Sequence, residues 1–312
     1  MDRVVTATAN DVAVLSAALA TPYDEKGRVD SGKLGLMVED YISRGVEGMY
    51  CCGSSGEGLL LSTDERVAVV RSVAEAACSR VPVIAHVGAL STREAIELAI
   101  RSQEAGACAV SMVPPIYYHF GPRAILEHYQ AVMDAVDVPM ILYNIPQFTG
   151  TEFDLDSASD LLADDRVIGM KHTAHNMFHL ERMREAFPDK AYIGGFDEVF
   201  TAAVAAGTQG AIGTTIGLQV ELFVAAREFL RRGDLQGAQR VQRRINETIT
   251  ALVEIDVFPA AKHLSGLPYG GLGNCRRPFL PLSPEQIARL DRLSESVERH
   301  IDQTQQELSR EG

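Results

Sequence analysis

The feature that most restricts the fold of this chain is a repeated alternation of short apolar runs with longer amphipathic ones. The short runs fall at residues 12–19, 48–52, 83–87, 109–113, 140–143, 167–170, 192–194 and 211–213. Each is too brief for a helix and reads as a buried strand. Helical periodicity fills the intervals, at 31–43 with a Gly45 stop, then at 123–135, 156–162, 175–186, 197–206 and 220–230. Another helix starts near Ser62, where Ser62 and Glu65 stand at capping-box spacing, and Val67, Val70, Val73, Ala74 and Ala77 recur at helical period. Ser91 and Glu94 repeat the capping signal. Such alternation predicts parallel strands joined by crossover helices, because parallel neighbours need a long return path. Eight units over roughly 220 residues is the count of a closed (β/α)8 barrel, the TIM-barrel architecture. An open doubly wound sheet is the alternative. It is disfavoured because the loop Gly53-Ser54-Ser55-Gly56-Glu57-Gly58 lacks the dinucleotide glycine spacing.

Beyond Arg231 the pattern turns almost purely helical, at 235–254, 259–264 and 284–307. No linker rich in Pro, Gly or Ser separates this part. The expected organisation is therefore a barrel over 1–231 carrying the active site, and a C-terminal helical extension over 232–312 packed against it. Residues 1 to about 10 and the last few read as tails.

Composition narrows the function classes. Lysine plus arginine (29) against aspartate plus glutamate (42) gives a net charge of −13, which disfavours nucleic acid as a partner. A local pocket can still be positive for a small anionic substrate. No segment approaches the roughly 20 apolar residues of a membrane span, and no apolar signal core precedes Thr21-Pro22. Five cysteines without paired metal-ligand spacing fit a reduced, cytoplasmic compartment, with Cys51 and Cys52 as buried small residues.

Chemistry is expected at the strand ends, since the loops after the strands build the site in a barrel. The run at 167–170 is followed by Lys171. A buried ammonium is costly unless it is paired, reaches solvent or gives up its proton, and a neutral lysine is an amine nucleophile able to form a Schiff base. Read alone, Lys171 is a strand-end lysine pointing into water. The second strand ends in Gly53-Ser54-Ser55-Gly56-Glu57, where converging N–H groups could nest a carboxylate or phosphate, or simply make a tight turn. Tyr143 and Tyr118 stand after the fifth and fourth strands, as proton relays or as half-buried packing residues. Asp197 and Glu198 follow Gly194-Gly195, with helix capping the default for Asp197. Thr214 ends the eighth strand. His175 and His179 stand four apart on an expected helix and could share a metal, but no third ligand is near. A solvated helix face is expected there, and no metal.

Taken together, the Gly-Ser-Ser-Gly-Glu loop, Tyr143-Asn144-Ile145-Pro146 and Lys171 resemble the pyruvate-dependent class I aldolases of the dihydrodipicolinate synthase and N-acetylneuraminate lyase family. The resemblance covers about residues 12 to 282, with the motifs in the expected order. Ala85-His86-Val87-Gly88, Lys171-His172-Thr173, Gly195-Phe196-Asp197-Glu198 and Arg277-Pro278-Phe279 look like the lyase branch. Gln147-Phe148-Thr149 lacks the arginine that dihydrodipicolinate synthases carry there, which counts against the synthase. Ser55, Thr214 and Ile216-Gly217 depart from the lyase pattern of threonine, serine and a tyrosine-asparagine pair.

What the resemblance implies is a lysine Schiff-base mechanism that needs no metal or organic cofactor. Lys171 would form the iminium and Tyr143 would shuttle the proton. Ser54 and Ser55 would hold the pyruvate carboxylate. Tyr118 would reach toward a neighbouring subunit of a homotetramer, supporting Tyr143 with Ser54. Thr173, Gly195, Asp197, Glu198 and Thr214 would hold the sugar part, with Phe258 at its distal end. The expected substrate is a keto sugar acid, N-acetylneuraminate first, with another 2-keto-3-deoxy sugar acid or the synthase reaction as alternatives. A barrel that binds sugar acids without turnover is the non-enzymatic alternative, disfavoured because a pure binder needs no Schiff-base amine.

Overall fold

The eight apolar runs become eight strands in the computed structural model of the chain, which describes residues 6–310. They are β1 (Leu15–Ala18), β2 (Gly48–Cys51), β3 (Val83–His86), β4 (Ala109–Met112), β5 (Met140–Asn144), β6 (Val167–His172), β7 (Ala191–Gly194) and β8 (Gly210–Gly213). Every strand pairs in parallel with its sequence neighbours, and β8 returns to β1, so the sheet closes into the expected (β/α)8 barrel. Parallel strands covered on both faces need apolar side chains on both, which is why the runs are continuous rather than alternating. Inward residues such as Tyr50, Ile84, Ile141, Ile193 and Ile212 fill the barrel. Outward ones such as Met49, Cys51, Val110 and Met170 join the larger layer between strands and helices.

Two expectations toward the ends of the chain are corrected. The run at 12–19 divides, because Ala9–Val12 forms one helical turn and β1 starts only at Leu15. Val12 packs into the barrel interior with Ala7, Ala9 and Ala13 beside it, and Ala7 N–H donates to the Cys108 carbonyl at 3.1 Å. The expected N-terminal tail is therefore docked over these residues, and its first five positions lie outside those described. At the other end the helix Pro284–Arg310 continues past the expected limit, with Thr304 buried; positions 311–312 lie outside the described residues.

Strand β6 is longer than expected and takes in Lys171 and His172. Its register against β5 slips by one residue, from Met140 opposite Val167 to Ile141 opposite Gly169. A one-residue slip exchanges the faces of everything beyond it. Val167 points to the outer layer and Ile168 inward, yet Met170 is again outward. The slip thus turns Lys171 into the barrel, level with Tyr143. Gly169 makes room for it: a Cβ there would lie 2.4 Å from the Ala191 carbonyl oxygen.

The helix at Ser62 forms as its spacing predicts. Thr63–Ala77 is capped by Ser62 Oγ accepting from Glu65 N–H, while Glu65 Oε2 accepts from Ser62 N–H at 2.8 Å. At Ser91 only the first half of that box forms, with Ser91 Oγ accepting from Glu94 N–H. After the barrel come Leu235–Ile255, Val257–Gly266 and Pro284–Arg310, which share an apolar cluster of Leu252, Ala260, Ala261, Leu264 and Leu290. A buried ion pair joins them to the β2 loop. Lys262 Nζ stands 2.7 Å from Glu57 Oε1 and lies over the Tyr23 ring, and Glu57 Oε2 accepts from Arg276 N–H at 2.5 Å. No helix among the described residues is long and apolar enough to cross a membrane.

Candidate active site

The C-terminal ends of the strands enclose a cavity of about 220 Å³ with Lys171 in its wall. Lys171 is 4% exposed and is held by ladder pairing on both sides, opposite Tyr143 in β5 and Ile193 in β7. Its Nζ lies 4.2 Å from the Tyr143 ring centroid and 4.4 Å from that of Tyr50. The residue does not point into water, because the register slip of β6 has turned it inward.

Next to it the β2 loop folds on itself. Gly56 and Gly58 N–H donate to the Gly53 carbonyl and Glu57 N–H to that of Ser54, while Thr21 Oγ1 donates to the Gly56 carbonyl. The Ser54 and Ser55 amides donate to no group of the described chain. Adjacent free N–H groups and small hydroxylated side chains are the donor set for a carboxylate. Ser55 Oγ and Thr214 Oγ1 share a hydrogen bond of 2.7 Å, which ties this loop to the end of β8.

Thr173 and Gly195 form the adjoining wall. Thr173 N–H donates to the Asn144 carbonyl and Gly195 N–H to the His172 carbonyl, so both continue the ladder beyond the strands. Thr173 Oγ1 is buried without a hydrogen-bond partner among the described residues. The Asp197 carboxylate accepts from Thr215 N–H and Thr215 Oγ1, both at 2.8 Å, instead of capping its own helix. Burial pushes its carboxyl up to about 6, and the two Thr215 bonds oppose that rise. The expected helix at 197–206 opens as a tight turn over Asp197–Val199 before Phe200–Ala205. That turn is braced from the extension, since Gln242 Nε2 donates to the Asp197 carbonyl and Asn246 Nδ2 to the Glu198 carbonyl. Glu198, Phe258, Ile249, Val253 and Val257 complete the far wall.

Ser54, Ser55, Tyr143, Lys171, Thr173, Gly195, Asp197, Glu198, Thr214 and Phe258 all border this one cavity. Tyr118 does not. It lies in an exposed loop after β4, its ring edge-on to Tyr117 and against Phe120. A second, more apolar chamber of about 290 Å³ shares Ser54, Tyr143 and Phe258 and adds His86, Ile116 and Phe279. The His86 ring meets Tyr143 edge to face at 5.9 Å, and burial with the Arg66 and Lys171 charges holds it neutral.

The expected histidine pair does not share a helix. His175 precedes the helix Met177–Ala186 and stacks on Phe196 at 4.6 Å, whereas His179 bonds Asn176 and faces Glu152. Among the described residues no three His, Cys, Asp or Glu side chains gather as a metal-ion cluster. His172, outward from Lys171, is 2% exposed and accepts from Asn144 Nδ2. Burial lowers it to about 4, so it is a neutral strut between β5 and β6. Tyr50 escaped the sequence reading as a site residue. Alternation along β2, with Met49 and Cys51 outward, is the signal that turns it toward Lys171.

A closed parallel barrel with a buried lysine at the C-terminal end of its sixth strand has the architecture of the class I aldolases. Residues 11–296 match the dihydrodipicolinate synthetase family, and the chain belongs to that family. It is 39% identical over 274 residues to an N-acetylneuraminate lyase of Rhizobium meliloti, covering 88% of this chain and 91% of that one. A Salmonella typhimurium N-acetylneuraminate lyase is 36% identical over 283 residues, 90% of this chain and 95% of the relative. Among solved structures, Clostridium difficile CdNal in complex with mannosamine superposes with a TM-score of 0.87 at 31% identity, covering 91% and 98% of the two chains.

Proposed function

We propose that the chain is a Schiff-base aldolase that reversibly splits N-acetylneuraminate into N-acetylmannosamine and pyruvate. The observation that carries this reading is Lys171 Nζ, buried within one cavity with the Tyr143 ring and the free Ser54 and Ser55 amides. In this scheme the Lys171 amine attacks the keto carbon, and the keto oxygen leaves as water to give an iminium. Tyr143 relays the proton off the aldol hydroxyl as the adjacent C–C bond breaks, its electron pair flowing into the iminium to give an enamine. Protonation of the enamine carbon and hydrolysis release pyruvate and free the amine. The Ser54 and Ser55 amides and hydroxyls hold the pyruvate carboxylate beside Lys171.

Thr173, whose hydroxyl has no partner among the described residues, supports hydrogen bonding to the sugar part together with Gly195, Glu198 and Thr214. Asp197 shapes that wall through Thr215. Phe258 borders the distal end. The scheme draws on no metal or organic cofactor. We place the enzyme in the cytoplasm as a homotetramer in which the exposed Tyr118 loop supports the partner's Tyr143. The exposed rings of Tyr117, Tyr118 and Phe120, clustered on one loop, favour a covered surface there. The barrel is the first unit, over 1–231, and the extension over 232–312 is its second.

Borohydride reduction in the presence of pyruvate tests the chemistry. A reduced pyruvate adduct on Lys171 is expected, and an unmodified lysine overturns the scheme. Pyruvate release from a panel of sugar acids tests the substrate. If N-acetylneuraminate is inert while a shorter 2-keto-3-deoxy acid is cleaved, the assigned sugar is wrong.

A further inference from the structure

Lys171 is a buried amine with no carboxylate at ion-pair distance and no hydrogen-bond partner for Nζ among the described residues. What surrounds it instead is two aromatic faces. Nζ lies 4.4 Å from the Tyr50 centroid and 4.2 Å from the Tyr143 centroid. The two rings stand at 89° to each other with centroids 6.2 Å apart, so the amine occupies the corner between them. Both rings are fixed by the barrel. Tyr50 is fully buried and its hydroxyl donates to Ser111 Oγ at 3.2 Å, and Tyr143 lies opposite Lys171 in the β5–β6 ladder.

From this corner we infer that Tyr50 is a further catalytic residue, whose ring face, with that of Tyr143, stabilises the positive charge of the Lys171 iminium. The inference rests on the aldolase reading above. When the iminium forms, the nitrogen lone pair makes the new bond to the keto carbon. The keto oxygen leaves as water with one proton from nitrogen and one from solution, and the nitrogen keeps one N–H and a positive charge. A π face attracts a cation within about 6 Å but gives little to a neutral amine. Among the described residues the corner also offers no hydrogen-bond acceptor to Nζ. An ammonium would bring three N–H donors into it, an iminium only one. Charge stabilisation without acceptors therefore suits the iminium better than any other state of this lysine. A carboxylate in the same place would do the opposite, holding the amine in an ion pair and occupying its donors.

The test varies the charge on the ring face at nearly constant shape. Phenylalanine, trifluorophenylalanine and pentafluorophenylalanine are placed in turn at position 50 by nonsense suppression, in the full chain and at one pH. The pyruvate concentration giving half-maximal borohydride trapping at Lys171 is measured for each, and thermal unfolding confirms that each variant folds. Tyr50→Phe keeps the ring and is the reference of the series, from which the midpoint is expected to rise stepwise to roughly tenfold for the pentafluoro ring. Ser111→Ala separates the hydroxyl from the ring and is expected within about twofold of the parent. A midpoint that is flat across the fluorine series overturns the inference while leaving the aldolase reading intact. So does a Ser111→Ala effect as large as that of the pentafluoro ring. Absence of any adduct in the parent overturns the aldolase reading itself, and this inference with it.

Discussion

A Cβ at position 195 would lie 1.8 Å from Thr173 Oγ1 and 3.2 Å from Lys171 Cε. Gly195 is thus the point where β7 comes close enough to brace both the amine's stem and the unpartnered hydroxyl. Gly195→Ala must displace one of them. Misplacing a reacting group by an ångström costs about a hundredfold, and pyruvate trapping by this variant is expected to fall by that order. Adding Thr173→Gly removes both the Oγ1 clash and the 2.8 Å contact with the Thr173 Cβ, and should restore trapping. A Gly195→Ala protein that traps pyruvate like the parent would contradict this geometry.

Tyr143→Phe keeps the ring over Lys171 and removes only the hydroxyl. The variant is expected to form the reducible pyruvate adduct normally, because the aromatic corner is intact. Turnover of the sugar acid should drop by about 10² to 10⁴-fold, the usual worth of a positioned proton relay. Single-turnover trapping beside steady-state pyruvate release separates the two effects. Unchanged turnover would remove the Tyr143 hydroxyl from the reaction.

Asp197 makes folding stability depend on pH. Its carboxyl is pushed up from 3.8 to about 6, first of all by burial. Between those values the folded chain keeps a proton that the unfolded chain has released. The stability this group contributes is therefore present in full below about pH 4 and lost as pH rises through about 6, by about 3 kcal/mol. Asp197→Asn cannot titrate. Parent minus variant unfolding free energy, followed by urea denaturation from pH 4 to 7, should fall across the window, and a flat difference would count against it.

Lys262→Met strands the Glu57 carboxylate in the interior, where both side chains of the pair are almost wholly buried. Removing one member of a buried pair costs about 3–5 kcal/mol. Adding Glu57→Gln removes the leftover charge and should recover a good part of that loss. Equilibrium unfolding in urea reads both variants. A single variant as stable as the parent would mean that Arg276 N–H alone satisfies Glu57.

Local signals in the sequence carried over well, and long-range ones did not. The Ser62–Glu65 box and the Gly45 stop need only neighbours within one turn, and both form as spacing predicts. The eight apolar runs likewise announce eight buried strands. Asp197 reads locally as a cap because its partner Thr215 lies eighteen residues away, in the turn after β8. The inward turn of Lys171 depends on a register slip that no periodicity announces. His175 and His179 have helical spacing, yet the helix begins only at Met177, and Phe196 claims the first ring. Phe258 is expected at the far wall from the family resemblance, but Ile249 and Val253 beside it come from a helix that the sequence marks only as amphipathic.

The Glu57–Lys262 lock also joins residues 205 positions apart. The pairing of β1 with β8 closes the strands with no residue beyond Gly213. Val253, Val257 and Phe258 of the pocket wall, and Lys262 and Arg276, whose bonds secure Glu57 after the Ser54–Ser55 turn, all lie beyond it in sequence. Closing the strands and completing the pocket are therefore separate tasks along the chain, and the second falls to the helices after the barrel.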